Sequence, residues 1–296
     1  MKLSNFFPDK SIERCSEFSR LGYVDAEYSG VLAYADNLKY LHIAENNPNV
    51  SCLIVTKKIL SAATKTPGII ISESPRDCFY TLHMQFINES YYSLPFSADV
   101  GSGCKIHPSA IIADGCRIGD DVTIGEQVLI REPVWIGSGV NIEPGVKIGV
   151  DGILYNKSLE GVKLIPHAGY VRIHDNVSLM TNSVIVRSIH DTDVTEIGAG
   201  SLIGLSSVIG HEAKIGEHVV ISNQCVIARR SVIGDRAFLG TNVIIKEHVN
   251  IGSDASVMAG SVVISDVNDH ASVSGNFASE HQSRMMAHVR NRRSNK

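Results

Sequence analysis

Counting by sixes from Ile106 reaches Ile112, Ile118, Ile124, Ile130, Ile136, Ile142 and Ile148 without a miss. The count resumes at Ile173, Leu179 and Ile185 and breaks at Asp191. It then runs from Ile197 through Ile203, Ile209, Ile215, Ile221, Ile227, Ile233, Leu239, Ile245, Ile251 and Val257 to Val263. A strand alone repeats every two residues and a helix every 3.6, so neither keeps this phase. A period of six asks for one short strand plus one tight turn, with one aliphatic side chain per unit aimed inward. Three units close a triangular coil of eighteen residues, and stacked coils merge the aliphatic columns into one core. Gly follows the aliphatic residue in Ile118-Gly119, Ile124-Gly125, Ile203-Gly204 and Ile215-Gly216, where the turn is expected to need positive φ. The repeats make about eight coils, a prism roughly 38 Å long.

The chain of 296 residues is 44% hydrophobic, enough for a large core and one to three domains. Its six Cys (Cys15, Cys52, Cys78, Cys104, Cys116 and Cys225) lack the paired spacing of a zinc ribbon or redox motif, and scattered thiols fit a cytoplasmic protein. The N-terminus has no apolar signal region, and no run approaches the roughly 18 apolar residues of a membrane span. A formal charge of −4 argues against a general nucleic-acid binder. The end of the chain is locally basic (Arg284, His288, Arg290, Arg292, Arg293, Lys296), either a solvated end or a phosphate-holding one.

Residues 1–95 follow another grammar. Apolar runs at 30–35, 51–56 and 68–72 alternate with helices expected near 37–46 and 75–88, the second opened by Ser74-Pro75 as N-cap and N1. This predicts a small α/β domain, joined through a Pro- and Gly-bearing linker (Tyr91–Cys104) to a prism over 104–266. Residues 150–170 shift the hexad phase and must leave the prism as an external loop, where sites are commonly built. Asp191 is either a buried polar group or the mark of a small bulge over Arg187–Asp193. Beyond Val263, a C-terminal extension over 267–296 is expected to end in a short helix from about Ala278, with Met285 and Met286 packed on its apolar side.

These residues resemble the left-handed β-helix acyltransferases, within them UDP-3-O-acylglucosamine N-acyltransferase of lipid A synthesis and the O-antigen nucleotide-amino-sugar N-acyltransferases. Tyr34-Ala-Asp-Asn37-Leu-Lys-Tyr40 is similar to the family's uridine-binding stretch. Gly149-Val-Asp151-Gly152 with Ile165-Pro166-His167-Ala-Gly169 resembles its external loop, and Ile209-Gly-His211-Glu212-Ala-Lys-Ile215-Gly216 its catalytic hexads. Gly260-Ser-Val-Val263 followed by Asp266-Val267 and Gly275-Asn276 is similar to the ending of CoA-dependent hexapeptide acetyltransferases. Two departures point away from the lipid A enzyme: Leu205-Ser206-Ser207 stands where it has Asp-Asn-Gln, and Arg229 where it has Gly.

The resemblance implies a mainly β fold, a left-handed parallel β-helix with a nucleotide-binding N-terminal domain, assembled as a homotrimer. It implies transfer of an acyl group from acyl-CoA, as co-substrate rather than bound cofactor, to the amine of a UDP- or dTDP-linked amino sugar for surface polysaccharide. Position 229 is one coil from His211, so the imidazole can serve as base while the Arg229 backbone N–H receives the oxyanion. Glu212 is a supporting candidate for holding the imidazole, although neighbours on a strand point to opposite sides. Tyr34 and Tyr40 are candidates to stack on a pyrimidine and Asn37 to read its edge; the alternative is an aromatic strand packing on the next helix. Asp151, Tyr155, His167 and His248 are candidates for substrate contact, and His174 borders the same loop. Three rivals stand beside this reading: the lipid A enzyme itself, using acyl carrier protein; a trimeric γ-carbonic-anhydrase-like zinc enzyme; and a catalytically dead sugar-nucleotide scaffold. The hexads hold no His pair at metal-ligand spacing, so no metal is expected.

Overall fold

The computed structural model describes residues 1–92, 97, 99–158 and 161–294. Parts of the expected linker (93–96 and 98), of the external loop (159–160) and of the basic tail (Lys296) lie outside the described residues. The chain divides into two compact units: Met1–Ser93 with Ile153–Pro166, and Leu94–Gly152 with His167–Lys296.

The first unit is built on a five-stranded sheet: β1 (Ile12–Arg14), β2 (Arg20–Leu21), β3 (Val31–Ala35), β4 (Val50–Val55) and β5 (Gly68–Ile71). Its order is β1-β5-β4-β3-β2, parallel except for β1. Helices α1 (Leu38–Glu45) and α2 (Pro75–Asn88) follow β3 and β5, close to the spans expected, and Pro75 opens α2 where its missing N–H costs nothing. Ser74 makes no side-chain cap. The tip of the external loop, expected with the prism, belongs to this unit instead. Tyr155–Ser158 and Gly161–Leu164 pair as an antiparallel hairpin flanked by buried Leu154 and Ile165. Arg76 donates to the Tyr155 carbonyl (2.8 Å), and the His83 ring bonds Tyr92 (2.6 Å) and the Pro166 carbonyl (2.9 Å).

The second unit is a three-faced parallel β-helix. The chain visits the faces in turn. Face I carries Ile106, Ile124, Ile142, Leu179 and their successors; face II carries Ile112, Ile130, Ile148, Ile185 and theirs; face III carries Val100, Ile118, Ile136, Ile173 and theirs. Two expectations need correction. Repeats past the first two bury two side chains, not one: the aliphatic residue and the smaller residue two before it, as in Val122/Ile124, Val140/Ile142 and Ser207/Ile209. Polar residues there are satisfied within the wall at Ser201, Oγ on the Gly216 carbonyl (2.8 Å), and at Ser207, Oγ on the Ser222 carbonyl (2.9 Å), whereas Ser183 Oγ is buried with no partner among the described residues.

In the regular repeats the Gly after the aliphatic residue does not supply positive φ; Gly149, where the external loop departs, does so at 76°. A Cβ on Gly119 would lie 2.7 Å from the Gly137 carbonyl carbon in the next coil, so that position is small because two backbones touch. The left-handed residue comes two places later and is mostly not Gly: Asp121, Gln127, Glu212, Arg230 and His248 all have φ between 55° and 60°. At the far end, Ser272–Ser274 continues face I and Ser279–Glu280 turns back antiparallel on it, before α3 (His281–Ser294). Met285 and Met286 are 48% and 54% exposed, so neither packs within this chain as expected.

Candidate active site

Both interruptions of the hexad count fall at the same corner, between faces II and III. Ile148 lies on face II and Ile173 on face III; Ile185 lies on face II and Ile197 on face III. Asp191 is therefore not an inward rung but part of an excursion over residues 187–193, as the bulge reading expected. The next coil brings Gly210-His211-Glu212 to this corner, and the one after it Ala228-Arg229-Arg230. The Arg230 N–H donates to the His211 carbonyl (3.0 Å), which fixes the one-coil offset.

His211 is 6% exposed. Its Nδ1 lies 3.4 Å from Glu212 Oε2, a charge contact that does not reach hydrogen-bond alignment. Nε2 is the ring nitrogen that remains open: it makes no hydrogen bond among the described residues and, unlike Nδ1, is not a buried unpartnered atom. Glu212 reaches the imidazole because it is not on a strand: at φ 60° it is the left-handed residue of the turn, which breaks strand alternation. Its carboxylate is buried, accepts the Ile189 N–H (3.1 Å), and its own N–H donates to Thr195 Oγ1 (2.8 Å). Burial pushes this carboxyl up, but the His211 contact and charge, the charge of His190 and the Ile189 N–H outweigh it, holding Glu212 below the usual carboxylate range.

His167, 2% exposed, packs edge-to-face on His211 with ring centroids 5.3 Å apart. Its Nδ1 is 2.8 Å from the Arg187 carbonyl, which fixes the proton on that nitrogen and leaves Nε2 buried with no partner among the described residues. Burial, chiefly, and the neighbouring His211 charge pull its pKa down, against the Arg187 hydrogen bond. Gly152 sits between the two rings: a Cβ there would lie 3.3 Å from His167 Cε1 and 3.6 Å from His211 Cδ2. Asp151 is spent on structure, binding Arg187 Nε (2.8 Å), while Arg187 Nη1 donates to the Glu132 carbonyl (2.8 Å).

The Arg229 side chain is exposed, and its backbone N–H makes no hydrogen bond among the described residues. His248 is also exposed, and it stacks over Glu212 and Arg230 as a left-handed turn residue rather than over His211. His174 pairs with Glu196 (2.7 Å) on face III. Sequence reasoning missed Thr195 and His190; the break at Asp191 was their only signal. Among the described residues no group of three His, Cys, Asp or Glu is arranged to hold a metal ion.

The remaining candidates belong to the first unit. Tyr34 is half-buried at the end of β3, its ring on Phe79 (5.2 Å) and Tyr80 (6.0 Å), and burial raises its pKa. Asn37 is the N-cap of α1, its Oδ1 accepting the Tyr40 N–H (3.2 Å). Tyr40 is 44% exposed in the first turn, and Tyr155 is 44% exposed on the hairpin.

Residues 97–132 match the family model described as bacterial transferase hexapeptide (six repeats), and residues 231–265 the one described as hexapeptide repeat of succinyl-transferase. No curated protein matches the chain. Among solved structures, the UDP-N-acetylglucosamine acyltransferase LpxA of Bacteroides fragilis is similar with a TM-score of 0.56 at 23% identity, over 64% of this chain and 71% of its own. LpxA of Acinetobacter baumannii (TM-score 0.46, 25% identity, 62% and 73% covered) and the Arabidopsis enzyme of the same name (0.47, 25%, 61% and 62%) align over similar shares. The fold held in common is the left-handed parallel β-helix.

Proposed function

We propose that this hexapeptide-repeat protein, a left-handed parallel β-helix, is an N-acyltransferase that moves an acyl group from acyl-CoA to the amine of a UDP- or dTDP-linked amino sugar for surface polysaccharide. The observation that carries the reading is the His211 imidazole, with Nε2 open and Nδ1 3.4 Å from a buried carboxylate, one coil from the unengaged Arg229 N–H. The neutral amine attacks the thioester carbonyl and a C–N bond forms, while His211 Nε2 takes the proton the nitrogen sheds. The tetrahedral oxyanion accepts the Arg229 N–H. Collapse breaks the C–S bond, and the proton on His211 passes to the departing thiolate. Glu212 stabilises the imidazolium formed in between.

Tyr34 and Tyr40 flank the pyrimidine in this reading, with the Asn37 amide at its edge, at the carboxyl end of a parallel sheet where α/β domains bind ligands. Asn37 also caps α1, so Asn37→Asp is the informative variant: it keeps a capping oxygen and removes the amide. The protein acts as a cytoplasmic homotrimer. The Bacteroides fragilis neighbour is named for acyl transfer with a nucleotide sugar, the acceptor class proposed here. The departures at Leu205-Ser206-Ser207 and Arg229 favour an amino sugar other than the lipid A precursor.

The test incubates UDP- and dTDP-amino sugars with short acyl-CoAs and with acyl carrier protein thioesters, and reads the product mass. A new amide from a CoA donor supports the reading; amide only from acyl carrier protein moves the assignment to the lipid A enzyme. No acylated sugar from any pair overturns it.

A further inference from the structure

The excursion at 187–193 is longer than the fold requires. At the same corner, the turns 210–213 and 228–231 pass from face II to face III in four residues. The extra residues fold back into the corner rather than out into solvent. Ser188, Ile189 and His190 are fully buried. Ser188 Oγ lies 2.9 Å from the Tyr170 carbonyl and 2.6 Å from the Asp193 carbonyl, which ties the excursion to the stem of the external loop. The Ile189 N–H is on Glu212 Oε1. His190 Nδ1 is 2.8 Å from Asp193 Oδ2, and because a carboxylate has no proton to give, the imidazole is the donor. Burying a second His beside Glu212 and His211, with a half-buried Asp held to it, is unfavourable unless the groups hold one another. A turn that only changed direction would have no reason to do it.

We infer that the excursion is a brace for the catalytic base: Asp193 anchors the buried His190 ring, and the backbone so fixed aims the adjacent Ile189 N–H at Glu212, holding its carboxylate in place behind His211 Nδ1. His190 is thus a positioning residue, acting through Glu212. The inference rests on His211 being the base. Further charged and titratable groups at the corner are His167, packed on the His211 ring, the Asp151–Arg187 pair, Asp191 within the excursion, and Arg229 and Arg230 in the next coil. Losing the brace weakens the carboxylate's support of the imidazolium, so the base becomes weaker.

The experiment compares wild type with His190→Asn, Glu212→Gln and the double variant, using the full chain. One readout needs no substrate: the rate at which diethyl pyrocarbonate modifies His211, followed by peptide mass. The second is the pH profile of kcat/KM, with acetyl-CoA and the UDP- and dTDP-amino sugars of the panel. The expected result is about tenfold slower His211 modification and 10- to 100-fold lower kcat in His190→Asn, with the acid limb moved to lower pH. Glu212→Gln should abolish the further effect of His190→Asn, because both act through one carboxylate. Unchanged modification rate and acid limb in a His190→Asn protein that merely melts earlier would reduce His190 to a packing role, as would full additivity. If His190→Asn does not fold, Asp193→Asn, whose side chain is 15% exposed, is read the same way. A His211→Ala protein with wild-type turnover would remove the base assignment itself, whereas a dead His211→Ala beside an unaffected His190→Asn removes only the brace.

Discussion

Two corners of the same prism are built from the same six-residue unit and differ in what they spend it on. Between faces III and I, the turn N–H groups of Ser102, Ser138, Glu217 and Ser253 are each capped by an aspartate one coil on: Asp120, Asp175, Asp235 and Asp269, at 2.7 to 2.9 Å. That corner is a ladder of satisfied groups, reinforced by the Arg236–Asp254 pair. Between faces II and III the ladder is missing at the coil that matters. The Arg229 N–H is left open, two excursions interrupt the count, and three imidazoles and the Glu212 carboxylate are buried where the other corner has caps. The regular corner keeps the coils in register; the irregular one is where polar groups are left with capacity to act on something else.

The sharpest way to break this division is to remove His211. His211→Ala should lower kcat by about 10²–10⁴ with little change in melting temperature, measured as amide formation under saturating substrates. A loss of stability comparable to the loss of activity would show the corner to be structural after all. Gly119→Ala at the regular corner should do the reverse, costing about 1–3 kcal/mol of stability as the added methyl meets the Gly137 backbone, with turnover per folded molecule unchanged. Denaturant titration beside an assay normalised to folded protein separates the two.

A smaller effect concerns pH. His167 has a depressed pKa in the folded state, so the unfolded chain binds the extra proton first, and stability present above about pH 6.5 is lost as pH falls toward the folded value. Melting curves between pH 7.5 and 5.5 should therefore fall more steeply for wild type than for His167→Gln. Parallel curves would mean that this imidazole does not titrate as buried. The smallest expected effect is that of Arg229→Gly. Turnover should stay within about twofold, because the proposed donor is a backbone N–H that any residue but Pro supplies. A large loss would transfer the role to the guanidinium.

The prism was legible because its signal is arithmetic. Eight consecutive isoleucines at a spacing of six admit one architecture, and the phase shift after Ile148 and the break at Asp191 marked where the chain leaves it. The roles of the small residues were not legible, because Gly119 and Asp121 look alike as turn formers until the neighbouring coil is in place. Within the site, His211 stood out from its motif, but the reach of Glu212 to it depends on a left-handed backbone that strand alternation argued against. His190 and Thr195 gain their meaning from a coil seventeen or more residues away, a relation that no local pattern carries. Asn37 shows the opposite limit: the same side chain satisfies a helix cap and a base-reading motif, and sequence alone cannot distinguish the two.

The backward turn at Ser279–Glu280 matters for a different reason. A stack of parallel rungs has no natural last member, since the upper edge of each coil is an unpaired template matching the lower edge of any other copy. By reversing direction against Ser272–Ser274, the chain presents on face I a rung that runs opposite to every other in the stack, so an incoming coil meets an edge out of step with the parallel pattern. The hairpin therefore acts as a terminator of polymer growth. Cutting the chain after Val263 would be expected to convert a particle of fixed length into one that adds end to end.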